Sequence, residues 1–204
     1  MGRARLLVGP SRGARGLVVL GHGAGTGART PDLELLAAGI DGFAMVRMEQ
    51  PWVLAGRQIA PAAHLLDEAW SEVLNKRNTW LPAPAAALPL IVGGRSAGAR
   101  VACRTAIALN AVGVLGLAFP LHAPKKKNRR RDGELDEVLA AQIPLHVIQG
   151  EKDGFGTPDE FVGVDLTVIP GRGHELLRAK TDEHCSLLME SATRFLHQVI
   201  PNRK

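Results

Sequence analysis

Short apolar runs alternate with segments of helical periodicity along most of the chain. Several of the runs are apolar at successive positions, which is typical of strands covered on both faces of a sheet. One further run, Arg5–Val8, predicts an edge strand near the start. The six runs that predict buried strands are Leu17–Leu20, Phe43–Met48, Leu88–Gly93, Val114–Phe119, Leu145–Gln149 and Leu166–Ile169.

Between these runs lie five segments with the 3.6-residue apolar period of amphipathic helices. Pro31 follows Thr30, a residue type suited to an N-cap, and this pair predicts the start of the first helix. Strands alternating with helices indicate the α/β class, with a doubly wound, mostly parallel sheet flanked by helices in one domain over residues 1–204. The stretch Trp80–Leu88 predicts a connecting loop. The helical faces are marked by Leu33, Leu36 and Ala37; by Leu66, Ala69, Trp70, Val73 and Leu74; by Ala99, Ala102, Cys103 and Ala106; by Leu135, Val138 and Leu139; and by Leu188, Ala192, Phe195, Leu196 and Val199.

The segment Gly94–Gly98 has the form Gly-x-Ser-x-Gly and lies between a predicted strand and a predicted helix that begins near Ala97. This context predicts a nucleophile elbow, in which Ser96 takes a strained backbone conformation and the glycines avoid collisions with the neighbouring strand and helix. The N-terminus of the helix would favour negative charge developing beside the serine. A glycine-rich turn with Ser96 as a capping residue is the alternative.

A serine hydroxyl is inert at neutral pH unless a base activates it. His174 lies in the turn directly after the last predicted strand and is the best-placed histidine. Asp153 follows the strand Leu145–Gln149 and is the candidate for the orienting carboxylate, with Glu151 as a possible substitute. The resulting order of serine, acid and histidine along the chain is typical of one fold of serine hydrolases.

The glycine-rich segment Gly21–Gly25 follows the first buried strand, where an oxyanion hole would find its second donor. The candidate donors are the backbone N–H groups of Ala24 and Ala97. We expect His22 to hold this loop in place, with contact to a substrate as its other candidate role. A phosphate-binding loop over Gly21–Gly27 is a rival interpretation, but the segment lacks the required Gly-Lys-Ser/Thr ending.

At these residues the chain resembles the dienelactone-hydrolase-like part of the α/β-hydrolase superfamily. More narrowly, it resembles a group of small hydrolase-like proteins that includes a testis-expressed protein and a subunit of a chromatin acetyltransferase complex. The resemblance implies a minimal α/β-hydrolase fold without a lid domain, and Ser96 stands where true dienelactone hydrolases carry cysteine. The segments that carry it are Gly93–Gly98, His22–Gly25, Phe119–Pro124 with Arg131, Gln149–Gly150 before Asp153, and Gly173–His174.

Composition limits the other functions open to this chain. The net charge of +5 and a pI near 9.7 owe much to the basic loop, Lys125–Arg131. We interpret that loop as a solvated surface and expect no nucleic-acid binding, because aromatic residues are too few for base stacking. No apolar run is long enough for a membrane span. Two cysteines form no disulfide framework, which favours a reducing cytoplasm.

Together these features predict a carboxylesterase-like serine hydrolase that cleaves a small or medium-sized ester, thioester or amide and needs no metal or cofactor. Arg95 and His122 join His22 as candidate substrate contacts, although His122 could instead pack against the elbow or anchor the basic loop. With only that short loop in place of a lid, we expect an open site that favours acidic or bulky substrates. The alternative is a non-catalytic binding or scaffold protein that contacts a protein partner through residues 125–131. The oligomeric state stays open.

Overall fold

The structure is a computed structural model that describes residues 2–123, 128 and 130–201. One seven-stranded sheet runs through it, in the order β1-β3-β2-β4-β5-β6-β7. The strands are β1 (Arg5–Val8), β2 (Gly16–Gly21), β3 (Phe43–Glu49), β4 (Leu90–Arg95), β5 (Gly113–Leu117), β6 (Leu145–Gly150) and β7 (Asp165–Ile169). The helices are α1 (Pro31–Gly39), α2 (Pro51–Leu54), α3 (Ala63–Asn75), α4 (Ala83–Ala86), α5 (Ala97–Thr105), α6 (Asp132–Ala140) and α7 (Cys185–Val199).

Six of the strands are parallel, and the edge strand β1 pairs antiparallel with β3. The chain runs from β2 outward to β3 and then returns to the other side of β2 with β4. The strand order therefore reverses between β2 and β4, and ligands of α/β sheets commonly bind at such a switch point, outside the carboxyl ends of the strands. Because Gly21 of β2 lies opposite Gly94 of β4, the loops after these two strands leave the sheet side by side.

Helices cover both faces of the sheet, as the sequence predicted. Leu33 and Leu36 of α1 pack with α7 residues such as Leu188 in one apolar cluster. On the opposite face, α3, α5 and α6 form a second cluster that includes Trp70 and the small residues of α5. Because α5 presents mainly alanines to the sheet, it approaches β2, β4 and β5 closely. The prediction of a doubly wound, mostly parallel α/β sheet is confirmed.

Some details differ from the prediction. The strand predicted over Val114–Phe119 ends at Leu117, because the positive φ of Ala118 turns the chain out of the extended conformation. The segment Trp80–Leu88 is not simply a loop, since it contains the single turn α4. The equally short α2 was not predicted either. Both helices have proline in the first turn, which is a helix-start signal in the sequence. Over the described ranges, no helix has the length and apolar character needed to cross a membrane.

Candidate active site

Ser96 lies at the turn between β4 and α5 with φ 54° and ψ −113°, a strained conformation for a residue with a side chain. A Cβ atom on Gly94 or on Gly98 would collide with the backbone of Gly21. The turn therefore packs directly against the carboxyl end of β2 and tolerates only glycine at these two positions. The backbone N–H of Ser96 donates to the carbonyl oxygen of Leu117 at 2.9 Å, which ties the turn to β5 as well.

His174 connects the serine to a buried carboxylate. Its Nε2 lies 2.9 Å from Ser96 Oγ, and its Nδ1 lies 2.8 Å from Asp153 Oδ2. A carboxylate only accepts hydrogen bonds, so Nδ1 carries the proton and Nε2 is free to accept the serine hydroxyl proton. Asp153 is fully buried, whereas the imidazole is 24% exposed. The structure thus brings the three predicted residues together in a connected chain that opens toward solvent at the serine end.

Two further donors hold the Asp153 carboxylate in place. Gln149 Nε2 donates to Asp153 Oδ2 at 2.9 Å, and the backbone N–H of Phe155 donates to Oδ1 at 2.9 Å. The Phe155 ring also packs on the imidazole of His174, with 4.2 Å between ring centroids. In the sequence, Gln149 was named only as part of the family resemblance and was given no role at the site. A polar amide directly after the apolar pair Val147-Ile148, four residues before the candidate acid, is the signal that could have indicated this role.

The neighbouring carboxylate, Glu151, contributes to the same region in another way. Its Oε2 accepts a hydrogen bond from the backbone N–H of Gly171 at 2.7 Å, which joins the acid turn to the histidine turn. The backbone N–H of Lys152 donates to the carbonyl oxygen of Arg172 at 2.7 Å. A Cβ atom on Gly150 would collide with carbonyl oxygens of the histidine turn. The two turns therefore pack on each other, with Asp153 rather than Glu151 facing the imidazole.

The two predicted oxyanion donors are Ala24, in the loop after β2, and Ala97, directly after the serine. A Cβ atom on Gly23 would lie 3.4 Å from Ser96 Cβ, so the loop after β2 passes against the elbow. Ala24 follows in that loop and is exposed, and Ala97 begins α5. Within the described part of the chain, no acceptor receives a hydrogen bond from either backbone N–H. That these two N–H groups form the oxyanion hole stays a prediction.

His22 is buried beneath this loop and uses both ring nitrogens on the backbone. Nδ1 donates to the carbonyl oxygen of Gly23 at 2.8 Å, and Nε2 accepts the N–H of Gln50 at 3.1 Å. Burial lowers the pKa of His22 below its ordinary value of 6.5, which favours this neutral form. With both nitrogens occupied, His22 anchors the loop and has neither one free for a substrate.

Arg95 does not reach toward the open end of the site. Its Nε lies 3.1 Å from Asp32 Oδ2, and its Nη2 donates to the carbonyl oxygen of His174 at 2.9 Å. Its guanidinium is therefore engaged by the protein, which leaves little of it for the substrate contact that the sequence analysis considered.

His122 is likewise buried. Its Nε2 lies 3.2 Å from Glu160 Oε1, and its backbone N–H donates to the carbonyl oxygen of Phe155. Although burial opposes it, hydrogen bonds from Thr157, His122 and Arg130 lower the pKa of Glu160 to about 2. His122 thus packs beside the acid turn and anchors it.

Most of the basic loop lies outside the described residues, namely 125–127 and 129. The two arginines that follow are paired within the protein. Arg130 contacts Asp132 and Glu160, and Arg131 Nη1 donates to the carbonyl oxygen of Pro120 at 3.0 Å. These two positive charges are therefore partly satisfied by intramolecular contacts.

A second serine–histidine–aspartate array occurs at the opposite end of the sheet. His146 Nδ1 lies 2.7 Å from Asp165 Oδ2, and its Nε2 lies 2.8 Å from Ser191 Oγ, which in turn contacts Thr167 Oγ1 at 2.8 Å. Ser191 is 2% exposed and lies within α7, without a strained turn or free N–H groups beside it. This array cross-links α7 to β6 and β7 and has no access for a substrate.

Comparison with solved structures identifies the class to which this fold belongs. A lidless α/β serine hydrolase from Xanthomonas campestris is 16% identical, with a TM-score of 0.68 over 98% of this chain and 91% of that one. A serine hydrolase homologue from Coxiella burnetii is 17% identical, with a TM-score of 0.70 over 93% and 91%. A dienelactone hydrolase from Anabaena variabilis is 16% identical, with a TM-score of 0.67 over 96% and 91%. These likenesses define an α/β-hydrolase fold without a lid.

The sequence itself leads to the same class. No curated protein matches the chain significantly. Residues 14–196 match the model of the α/β hydrolase domain family. The chain belongs to this family, and this membership supports a hydrolase.

Proposed function

We propose that this protein is a serine hydrolase that cleaves an ester, thioester or amide of small to medium size through an acyl-enzyme at Ser96. The single observation that carries the proposal is the continuous hydrogen-bonded chain from Ser96 through His174 to the buried Asp153. The second serine array has the same residue types, but its buried hydroxyl excludes it from this role. We extend the proposal to a carboxylesterase-like preference, and a substrate screen that starts from short acyl esters tests it.

The geometry supports the following role for each group in this reaction. Ser96 Oγ attacks the substrate carbonyl carbon while His174 Nε2 takes the hydroxyl proton. Asp153 keeps the other imidazole nitrogen protonated and stabilises the positive ring that forms. The N–H groups of Ala24 and Ala97 stabilise the negative carbonyl oxygen. His174 then protonates the leaving group as its bond to the carbonyl carbon breaks. In the second half of the reaction His174 takes a proton from a water molecule whose oxygen attacks the acyl carbon, and the bond to Ser96 Oγ breaks as His174 returns the proton to the serine.

Covalent labelling with a fluorophosphonate probe tests the proposal directly. We expect the wild type to be labelled and Ser96→Ala to be unlabelled, with the adduct located at Ser96 by peptide mass spectrometry. Asp153→Asn should slow labelling by about 10⁴-fold, as expected when the histidine loses its orienting carboxylate. A folded wild type that takes no label, or a label on another serine, would contradict the proposal.

The substrate preference is open to a separate test. The half-buried Ser96 and the partly exposed His174 support an open site for acidic or bulky substrates. Better cleavage of long-chain acyl esters than of short ones would contradict that preference. Charge reversal at Lys125, Lys126 and Lys127 should leave turnover of neutral esters unchanged.

The second candidate is a non-catalytic binding protein, and the basic run in the sequence is the feature that favours it. Under that function, the same charge reversal would weaken partner binding. The affiliation with a testis-expressed protein and with an acetyltransferase-complex subunit remains part of this candidate function. The two free cysteines support a reducing compartment. A cytoplasmic location is the prediction that fits such a compartment.

A further inference from the structure

Arg95 precedes the serine and forms an ion pair that is almost completely removed from solvent. The guanidinium side chain is 11% exposed and the Asp32 side chain 2%, with 3.1 Å between Nε and Oδ2. The same guanidinium donates from Nη2 to the carbonyl oxygen of His174 at 2.9 Å. It therefore bonds at once to a carboxylate and to the backbone of the residue that carries the imidazole.

The partners of Arg95 belong to separate parts of the site. Asp32 lies in the first turn of α1, shortly after the oxyanion loop, and its Oδ1 also accepts the backbone N–H of Leu33 at 2.8 Å. A Cβ atom on Gly23 would lie 3.2 Å from Arg95 Nη1, so the guanidinium also packs under the oxyanion loop. His174 lies 79 residues further along the chain, in the turn after β7. One side chain thus joins the elbow, the oxyanion segment and the histidine turn.

We propose that Arg95, fixed by Asp32, is a positioning residue that sets the distance between His174 and Ser96; this inference rests on the proposed serine-hydrolase function. The planar guanidinium makes several hydrogen bonds in a rigid arrangement, whereas a lysine ammonium at this position cannot reproduce the paired geometry. Misplacement of a reacting group by about 1 Å can slow a reaction by about 10²-fold. We call the Asp32–Arg95–His174 contacts the clamp. Loss of the clamp therefore slows attack by Ser96 without removing any group that reacts.

The test compares Arg95→Lys and Asp32→Asn with Arg104→Lys as the matched control. Arg104 is also held in a partly buried ion-pair network, but its partners Asp67 and Glu134 lie on α3 and α6, away from the site. Two measurements are made on folded protein. The first is the rate and final extent of fluorophosphonate labelling, and the second is the NMR signal of the proton between His174 Nδ1 and Asp153.

We expect Arg95→Lys and Asp32→Asn each to slow labelling by about 10- to 100-fold while the final labelled fraction stays that of the wild type. For a substrate found by screening, kcat should fall and KM should stay within about threefold. The Nδ1 proton signal should broaden or shift in both variants. The double variant should be no slower than the slower single variant, because either change opens the same clamp. Arg104→Lys should match the wild type in labelling rate, final labelled fraction and Nδ1 proton signal.

An unchanged labelling rate together with an unchanged Nδ1 proton signal in Arg95→Lys overturns the inference. A lower labelled fraction at an unchanged rate also overturns it, because that result describes unfolding and not positioning. If the wild type takes no label, the proposed function fails. The NMR signal then still decides whether Arg95 positions His174.

Discussion

We expect a serine-to-alanine substitution to have different consequences in the two serine–histidine–aspartate arrays: loss of stability in the buried array and loss of labelling at Ser96. Ser191→Ala removes the hydroxyl that lies 2.8 Å from Nε2 of the buried His146. A buried polar group left without a partner costs about 1–3 kcal/mol. Thr167 Oγ1 loses a partner too, but its side chain is partly exposed and can bond to water. We therefore expect the free energy of unfolding to fall by about 1–3 kcal/mol.

In a chain of this length, each kcal/mol corresponds to a change of about 2–4 °C in Tm, so Ser191→Ala should lower Tm by about 2–12 °C. The measurement is urea unfolding followed by circular dichroism, paired with fluorophosphonate labelling of the same samples. Labelling should proceed at the wild-type rate, because the array lies at the other end of the sheet. Ser96→Ala should lose all labelling without a comparable loss of stability.

Ser186→Ala is the control for this experiment. Ser186 lies on the same helix and is exposed, so the change should alter stability by no more than about 0.5 kcal/mol. This comparison also subtracts the higher helix propensity of alanine. If Ser191→Ala abolished labelling while leaving stability unchanged, the assignment of the two arrays would be reversed.

Three further predictions follow from individual contacts. Gln149→Leu should destabilise the fold by about 2–6 kcal/mol, because the buried N–H of Phe119 and the buried carboxylate of Asp153 each lose a partner. Urea unfolding measures this loss, with Gln198→Leu at an exposed position as the control. Gly98→Ala should lower the free energy of unfolding by about 1–3 kcal/mol, because the new Cβ atom collides with β2. Gly133→Ala, in open space on α6, should raise it by about 0.4–1 kcal/mol. Equal effects of the two changes in thermal unfolding would contradict this. Glu160→Gln should destabilise the protein by about 1.5–3 kcal/mol at pH 7. Because the folded-state pKa of about 2 lies below the ordinary 4.5, this difference should shrink as the pH falls from 4.5 toward 2, and a difference independent of pH would contradict the assignment.

The position of the site follows from one feature of the topology. The site lies at the carboxyl ends of β2 and β4, where the strand order reverses. The oxyanion loop leaves β2 and the elbow leaves β4, and their glycines allow the two backbones to touch. The acid and histidine turns leave β6 and β7 at the same edge and pack on each other. The structure thus joins two pairs of neighbouring loops, and Arg95 bridges them through its contact with the histidine turn.

The sequence by itself determined the class of fold and most of the secondary structure. Successive apolar positions identified the central strands, because burial on both faces of a sheet leaves a local trace in the chain. The context of Ser96 between a strand and a helix indicated an elbow for the same reason, since a turn of this kind requires its glycines locally. Ser96, Asp153 and His174 could also be predicted as a candidate triad from the sequence, because each follows a predicted strand.

Only the tertiary structure decided which polar groups meet. Asp153 and Glu151 stand in the same turn, and no local pattern separates the one that faces the imidazole from the one that joins two turns. The sequence offered Arg95 as a candidate substrate contact, but in the folded chain its guanidinium pairs with Asp32. These pairings depend on the strand order and on the paths of loops that are distant in sequence. Periodicity records whether a residue is buried, but the partner of a buried charge is set by the folded chain as a whole.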